Sequence, residues 1–74
     1  MRQLHPLYQL DEIKTGDVFY DASRRKCHFV GTLKDGDDTL FVYWRYNKYS
    51  QRRVYCTEPA WEFEITLHYS HKTP

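Results

Sequence analysis

Apolar and polar residues alternate with a period of two along much of this chain, the pattern of half-buried strands. Val18-Phe19-Tyr20 is a short run of β-forming residues. The turn signal Lys14-Thr15-Gly16-Asp17 precedes it, with Gly16 free to take positive φ. Asp21 to Arg25 reads as a polar loop. A second strand is predicted over Lys26–Leu33, with Cys27, Phe29, Gly31 and Leu33 on one face and Lys26, His28, Val30 and Thr32 on the other. Gly31 marks a bulge or tight bend in it. Lys34-Asp35-Gly36-Asp37-Asp38 places Asp-Gly between two apolar runs, a hairpin signal.

Thr39–Tyr46 and Gln51–Thr57 are read as the third and fourth strands, joined by a three-residue loop, Asn47-Lys48-Tyr49. That loop length sets Leu40 opposite Cys56, Val42 opposite Val54 and Trp44 opposite Arg52 on a core face. Phe41 then opposes Tyr55, Tyr43 opposes Arg53 and Arg45 opposes Gln51 on an outer face. A one-residue slip mixes the two sets, so the assignment depends on the loop. After the break at Glu58-Pro59, Trp61, Phe63, Ile65 and Leu67 alternate with Glu62, Glu64, Thr66 and His68, which predicts a fifth strand. The expected architecture is a small, mainly β, five-stranded antiparallel SH3-like barrel, since closing a meander protects its edges. Residues 1–10 are expected to be an N-terminal arm, with a helical turn over 7–13 as an option, and 69–74 a loose tail. An open sheet with one N-terminal helix is the alternative.

Composition changes this picture in two ways. At 74 residues the chain is expected to be one domain near the lower size limit for unaided folding. Its four Phe, two Trp and seven Tyr offset both that small size and a mean hydropathy of −0.83. The net charge is only +1, so electrostatics must act through local asymmetry. The stretch 39–57 holds six aromatic rings and four cations without one carboxylate. Acids gather at Asp35, Asp37 and Asp38 and at Glu58, Glu62 and Glu64, and further bases at Arg24-Arg25-Lys26. There is no signal-peptide h-region and no apolar run of the roughly 20 residues a membrane span needs, which predicts a cytoplasmic protein.

The candidate chemistry narrows accordingly. Cys27, His28, Cys56, His68 and His71 lack the paired close spacings of structural zinc sites, so no metal and no cofactor is expected. Cys27 and Cys56 are predicted to face inward, where a thiol behaves as a small hydrophobe. The glycines are isolated and form no phosphate-binding loop. These features point away from catalysis and toward a non-enzymatic binding module.

The order of Gly16 to Tyr20, the acidic turn Asp35 to Asp38, Phe41-Val42-Tyr43-Trp44-Arg45 and Arg53 to Phe63 resembles a family of short bacterial proteins of uncharacterised function. In that family a Gly-led strand, an acidic turn and a Val-Val-Tyr-Arg-like strand precede a Val-Arg-Pro segment with a nearby Phe. Here the proline follows Glu58 instead of an arginine. The resemblance implies no particular activity.

Phe41, Tyr43, Arg45, Lys48, Tyr49, Arg52, Arg53 and Tyr55 are the expected partner-binding residues. Stacking rings beside cations suit nucleic acid, with single strands favoured over duplex because the net charge is so small. The same residue types also suit a protein partner, whether an adapter contact, inhibition of a larger machine or a homodimer. Small size and the absence of catalytic motifs fit a bacterial or mobile-element accessory protein.

Overall fold

The computed structural model describes residues 10–71. Four strands, β1 (Val18–Tyr20), β2 (Lys26–Asp35), β3 (Asp38–Asn47) and β4 (Arg52–Pro59), form an antiparallel meander in sequence order, followed by one helix, α1 (Ala60–His68). The sheet does not close into a barrel. The helix lies across one face, giving a flat body 39 × 33 × 18 Å. Among the described residues no helix is long and apolar enough to cross a membrane.

The segment 61–68 is therefore a helix and not the expected fifth strand. Four apolar residues at period two satisfy a strand template, but Ala60, Phe63 and Leu67 also satisfy the i, i+3, i+7 template of a helix face. The helix buries Phe63 and Leu67, packs Ala60 against the core, and leaves Trp61 and Ile65 at 65% and 51% exposure. Local preferences agree. Pro59 is extended at the N-cap, Ala60, Glu62, Glu64 and Leu67 are good helix formers, Glu62 sits in the first turn and His68 in the last. With the inner face covered by α1, there is no fifth strand to join the two edges.

The core is mostly aromatic. Phe63 enters the centre of the inner face, with its ring 5.1 Å from Phe41, 5.7 Å from Phe29 and Tyr43, and 6.0 Å from Phe19 between centroids. Cys27 and Leu67 fill in around these rings, and Ile13 closes the side reached by the N-terminal segment. Of the helical turn considered for 7–13, residues 7–9 lie outside the described residues and 10–12 form a turn, with Leu10 against the core. At the other terminus, residues 69–71 are docked and not loose. Ser70 is buried, and His71 pairs with Tyr20 through backbone hydrogen bonds of 2.7 and 3.0 Å. Residues 72–74 lie outside the described residues.

Two features decide which side chains meet the core. The first is the bulge in β2, where the pairing skips from Phe29–Tyr43 to Gly31–Val42. It was anticipated at Gly31, but its consequence was not. Beyond the bulge Thr32 opposes Phe41 and Leu33 opposes Leu40, so Leu33 turns to the outer face and is 45% exposed. The 14–17 turn latches onto the bulge. Thr15 Oγ1 donates to the Val30 carbonyl at 2.7 Å, and Gly16 N–H to that of Phe29 at 3.0 Å.

Gly31 has φ +154, a region that L side chains rarely adopt, whereas the space beside it is ordinary, with Thr15 Oγ1 3.7 Å from an added Cβ. Gly31→Val is thus expected to cost about 1–3 kcal/mol through backbone strain alone. Urea denaturation checks this, and an unchanged midpoint would exclude strain at the bulge.

The second feature is the β3–β4 loop. Asn47 pairs with Arg52, leaving the loop to Lys48, Tyr49, Ser50 and Gln51. The Asn47 side-chain carbonyl accepts from the Tyr49 and Ser50 N–H groups at 2.9 and 3.2 Å, and Gln51 takes φ +56. Asn47 therefore ends the strand and organises the turn from outside it. Leu40 now faces Pro59, Val42 faces Thr57 and Trp44 faces Tyr55. Relative to the three-residue loop the register moves by an odd number, which inverts β3 against β4.

Candidate functional site

That inversion redistributes the predicted binding residues. Phe41 and Tyr43 were expected outside, but they are core residues at 9% and 6% exposure. Arg45 is on the same inner side, half-buried, and donates from Nη1 to Cys56 Sγ at 3.0 Å. Leu40, Val42 and Trp44, expected inside, lie on the outer face. For β4 the assignment of sides agrees with expectation, with Val54 and Cys56 inward and Arg53 and Tyr55 outward. Lys48, Tyr49, Arg52, Arg53 and Tyr55 are all exposed.

On the outer face His28, Trp44 and Tyr55 form one cross-strand row. The His28 ring stacks on Trp44 at 3.9 Å between centroids and 9° between planes, and the Arg53 guanidinium lies 4.2 Å from the Trp44 centroid. Trp44 is thereby engaged by a neighbour from each flanking strand. Burial first, and then the positive charges of Lys26 and Arg53, hold the His28 pKa below its ordinary value, so this imidazole is neutral at pH 7. Arg53 also reaches the Tyr55 hydroxyl at 3.5 Å.

The hairpin tip contributes to a cleft of about 300 Å³, lined by Arg25, Arg45, Tyr46, Asn47, Lys48 and Tyr49. Three cations and two tyrosines converge there, and no carboxylate lines the wall. Arg25 arrives from the 21–25 loop because the pairing of Cys27 with Arg45 brings that loop beside the end of β3. Asp21 Oδ1 accepts from the Ser23 and Arg25 N–H groups, and Asp21 Oδ2 accepts from Arg25 Nε at 3.1 Å, which fixes the loop while partly offsetting the Arg25 charge. Arg45 is oriented by its bond to Cys56. Lys48 lies 5.6 Å from the ring centre of Tyr49, which is 89% exposed.

Arg25 and Tyr46 were missed as site residues. The Arg24-Arg25-Lys26 cluster was visible in the sequence, but its position beside the hairpin tip follows only from strand pairing. Arg45, Lys48 and Tyr49 are the expected residues that the fold brings together in the cleft, with Tyr46 56% exposed at its edge.

The Cys27 thiol offers little reactivity. Burial above all, together with the negative charge of Asp21, pushes the Cys27 thiol up to about 12, so it stays protonated at neutral pH. Cys56 is half-buried beneath Arg45. Among the described residues, no three of His, Cys, Asp or Glu come together as a metal-binding group.

Comparison of the chain with protein-family models, with curated proteins and with solved structures yields no match.

Proposed function

We propose that this protein is a non-enzymatic binding module that holds single-stranded nucleic acid at the end of its β3–β4 hairpin. The observation that carries this reading is the cleft between the hairpin tip and the 21–25 loop, where Arg25, Arg45 and Lys48 meet beside Tyr46 and Tyr49 without an acidic lining residue. A phosphate fits this set, because guanidinium and ammonium groups give charge-assisted hydrogen bonds to its oxygens. The Tyr49 ring offers a face on which a base can stack, a contact that contributes about 1–3 kcal/mol per base and tolerates any sequence. Arg52, Arg53 and Tyr55 extend the basic and aromatic surface away from the cleft. Trp44 is not part of the stacking platform, since His28 and Arg53 already pack against its ring. Single strands are favoured over duplex, because a net charge of +1 leaves few cations to neutralise a run of phosphates.

Titration of fluorescent oligothymidylate and of a duplex of equal length, at low and moderate salt, tests this reading. The expected result is micromolar binding of the single strand that weakens as salt rises. Lys48→Glu combined with Tyr49→Ala should reduce it at least tenfold, whereas Lys14→Glu, on the 14–17 turn, should not. Absence of binding at low salt, or equal losses in all variants, would overturn the proposal.

A further inference from the structure

The helix covers one face of the sheet, and among the described residues nothing covers the other. That outer face is apolar in the middle. Val30 and Leu33 are 37% and 45% exposed, and Leu40, Val42 and Trp44 are partly exposed beside them. Charge is divided between its ends. Lys26 and Arg53 are exposed at the end where Tyr46 pairs with Arg53. At the other end Asp35 and Asp38 pair directly across β2 and β3, with no hydrogen-bond or ion-pair partner among the described residues. Like charges directly opposite one another destabilise a sheet unless something compensates them.

We propose that this face is a self-association surface, on which two copies of the chain pack sheet against sheet about a two-fold axis that crosses the strands near Val42. Such an axis reverses the strand direction of one copy over the other. Asp35 and Asp38 of each copy then lie over the Lys26 and Arg53 end of its mate, Val30 and Val42 meet their own counterparts in the centre, and Leu40 and Leu33 lie over the Trp44 and His28 row of the mate. An isologous contact needs a self-complementary patch, and an apolar centre between opposite charges at equal distances meets that requirement. Along β3, Val42 is midway between Asp38 and Tyr46, the partner of Arg53. A second copy accounts for the whole face, acids included, whereas a nucleic acid would be repelled by the Asp35–Asp38 end. Arg45 lines the hairpin cleft from the inner side, whereas Tyr46 at its edge belongs with Arg53 and Tyr55 to the face that association covers.

Four strands of 3, 10, 10 and 8 residues, about 4.8 Å apart and averaging about 25 Å in length, present roughly 500 Å² of flat area per copy, near the small end of specific interfaces. A dimer in the micromolar range is therefore expected. Sedimentation equilibrium of the full chain from 1 µM to 1 mM, at low and high salt, reads it directly (concentrations on the order of those spanning such a constant). Val42→Glu should weaken the dimer at least tenfold while circular dichroism stays unchanged. Asp35→Lys with Asp38→Lys, and separately Lys26→Glu with Arg53→Glu, should each give monomers. Mixing these two variants should restore a heterodimer that is lost again when both also carry Val42→Glu. A wild-type chain that stays monomeric to 1 mM, or a dimer indifferent to these changes, would overturn the proposal. Oligonucleotide binding by the monomeric Val42→Glu variant separates this surface from the cleft, since the cleft residues are untouched.

Discussion

Phe63→Ala is expected to unfold most of this protein or to lower its Tm by roughly 15–30 °C. Phe63 is fully buried and its ring meets Phe19, Phe29, Phe41 and Tyr43, so truncation removes the centre of the core. Phe→Ala at such sites costs about 3–5 kcal/mol, against a total stability of roughly 4–11 kcal/mol for a chain of this size. Trp61→Ala and Ile65→Ala should cost less than about 1 kcal/mol each, because both side chains are more than half exposed. Thermal melts of the three variants followed by circular dichroism distinguish the helix from the strand pattern. On a half-buried strand 61, 63, 65 and 67 would share one face, and all three substitutions would be costly. Equal losses at 61, 63 and 65 would contradict the helical packing.

Glu58→Ala is expected to cost about 2–3 kcal/mol, the second-largest effect. Glu58 stands on the inner side of β4 and joins the sheet to the helix. Its Oε2 accepts from the Tyr43 hydroxyl at 2.8 Å and its Oε1 from Thr66 Oγ1 at 2.7 Å. Removing the carboxylate leaves the buried phenol of Tyr43 without its acceptor. Tyr43→Phe should cost less, because Glu58 keeps Thr66. Chemical denaturation of both variants tests this order. The same contact implies a pH dependence. Burial first, and then the hydrogen bond and charge of Glu58, hold the Tyr43 pKa above that of a free phenol. Its contribution is complete below about pH 10 and is lost as the pH rises toward the native value, because the unfolded chain releases the proton first. Tyr43→Phe should therefore flatten the decline in stability above about pH 10.

The elements legible in the sequence were those whose signals are local. The 14–17 turn, the bulge at Gly31 and the Asp-Gly hairpin stand where Gly and Asp signalled them, and β1 to β4 follow the predicted order with ends displaced by a few residues. Away from the bulge, alternation sorted neighbours correctly, so Cys27 with Phe29 and Val54 with Cys56 do share faces, whereas beyond it Gly31 and Leu33 lie on the face opposite to the one expected. Alternation does not say which face is inside. For β3 that choice rested on loop length, and the side chain of Asn47 lengthens the loop by one residue. Phe41 and Tyr43 consequently moved from candidate site to core, and Trp44 from core to surface.

The binding residues divide on the same line. Lys48, Tyr49, Arg52, Arg53 and Tyr55 were legible because a hairpin tip and the outward side of β4 remain exposed under either register. Arg25 was not, because its place beside Arg45 depends on a pairing between residues eighteen positions apart. No local pattern encodes such a neighbour.

By itself the sequence determined an aromatic-rich antiparallel meander, the turns before β1 and between β2 and β3, and the segregation of cations from acids. These follow from backbone preferences and from the two-residue period of a strand. Tertiary structure alone decided that 61–68 is a helix. Trp61-Glu62-Phe63-Glu64-Ile65-Thr66-Leu67-His68 fits both periods, and a sheet face lined by Phe19, Phe29, Phe41 and Tyr43 has room at its centre for Phe63 from a helix laid across it. It also decided the register of β3 against β4, and with that which rings hold the fold and which remain to meet a partner.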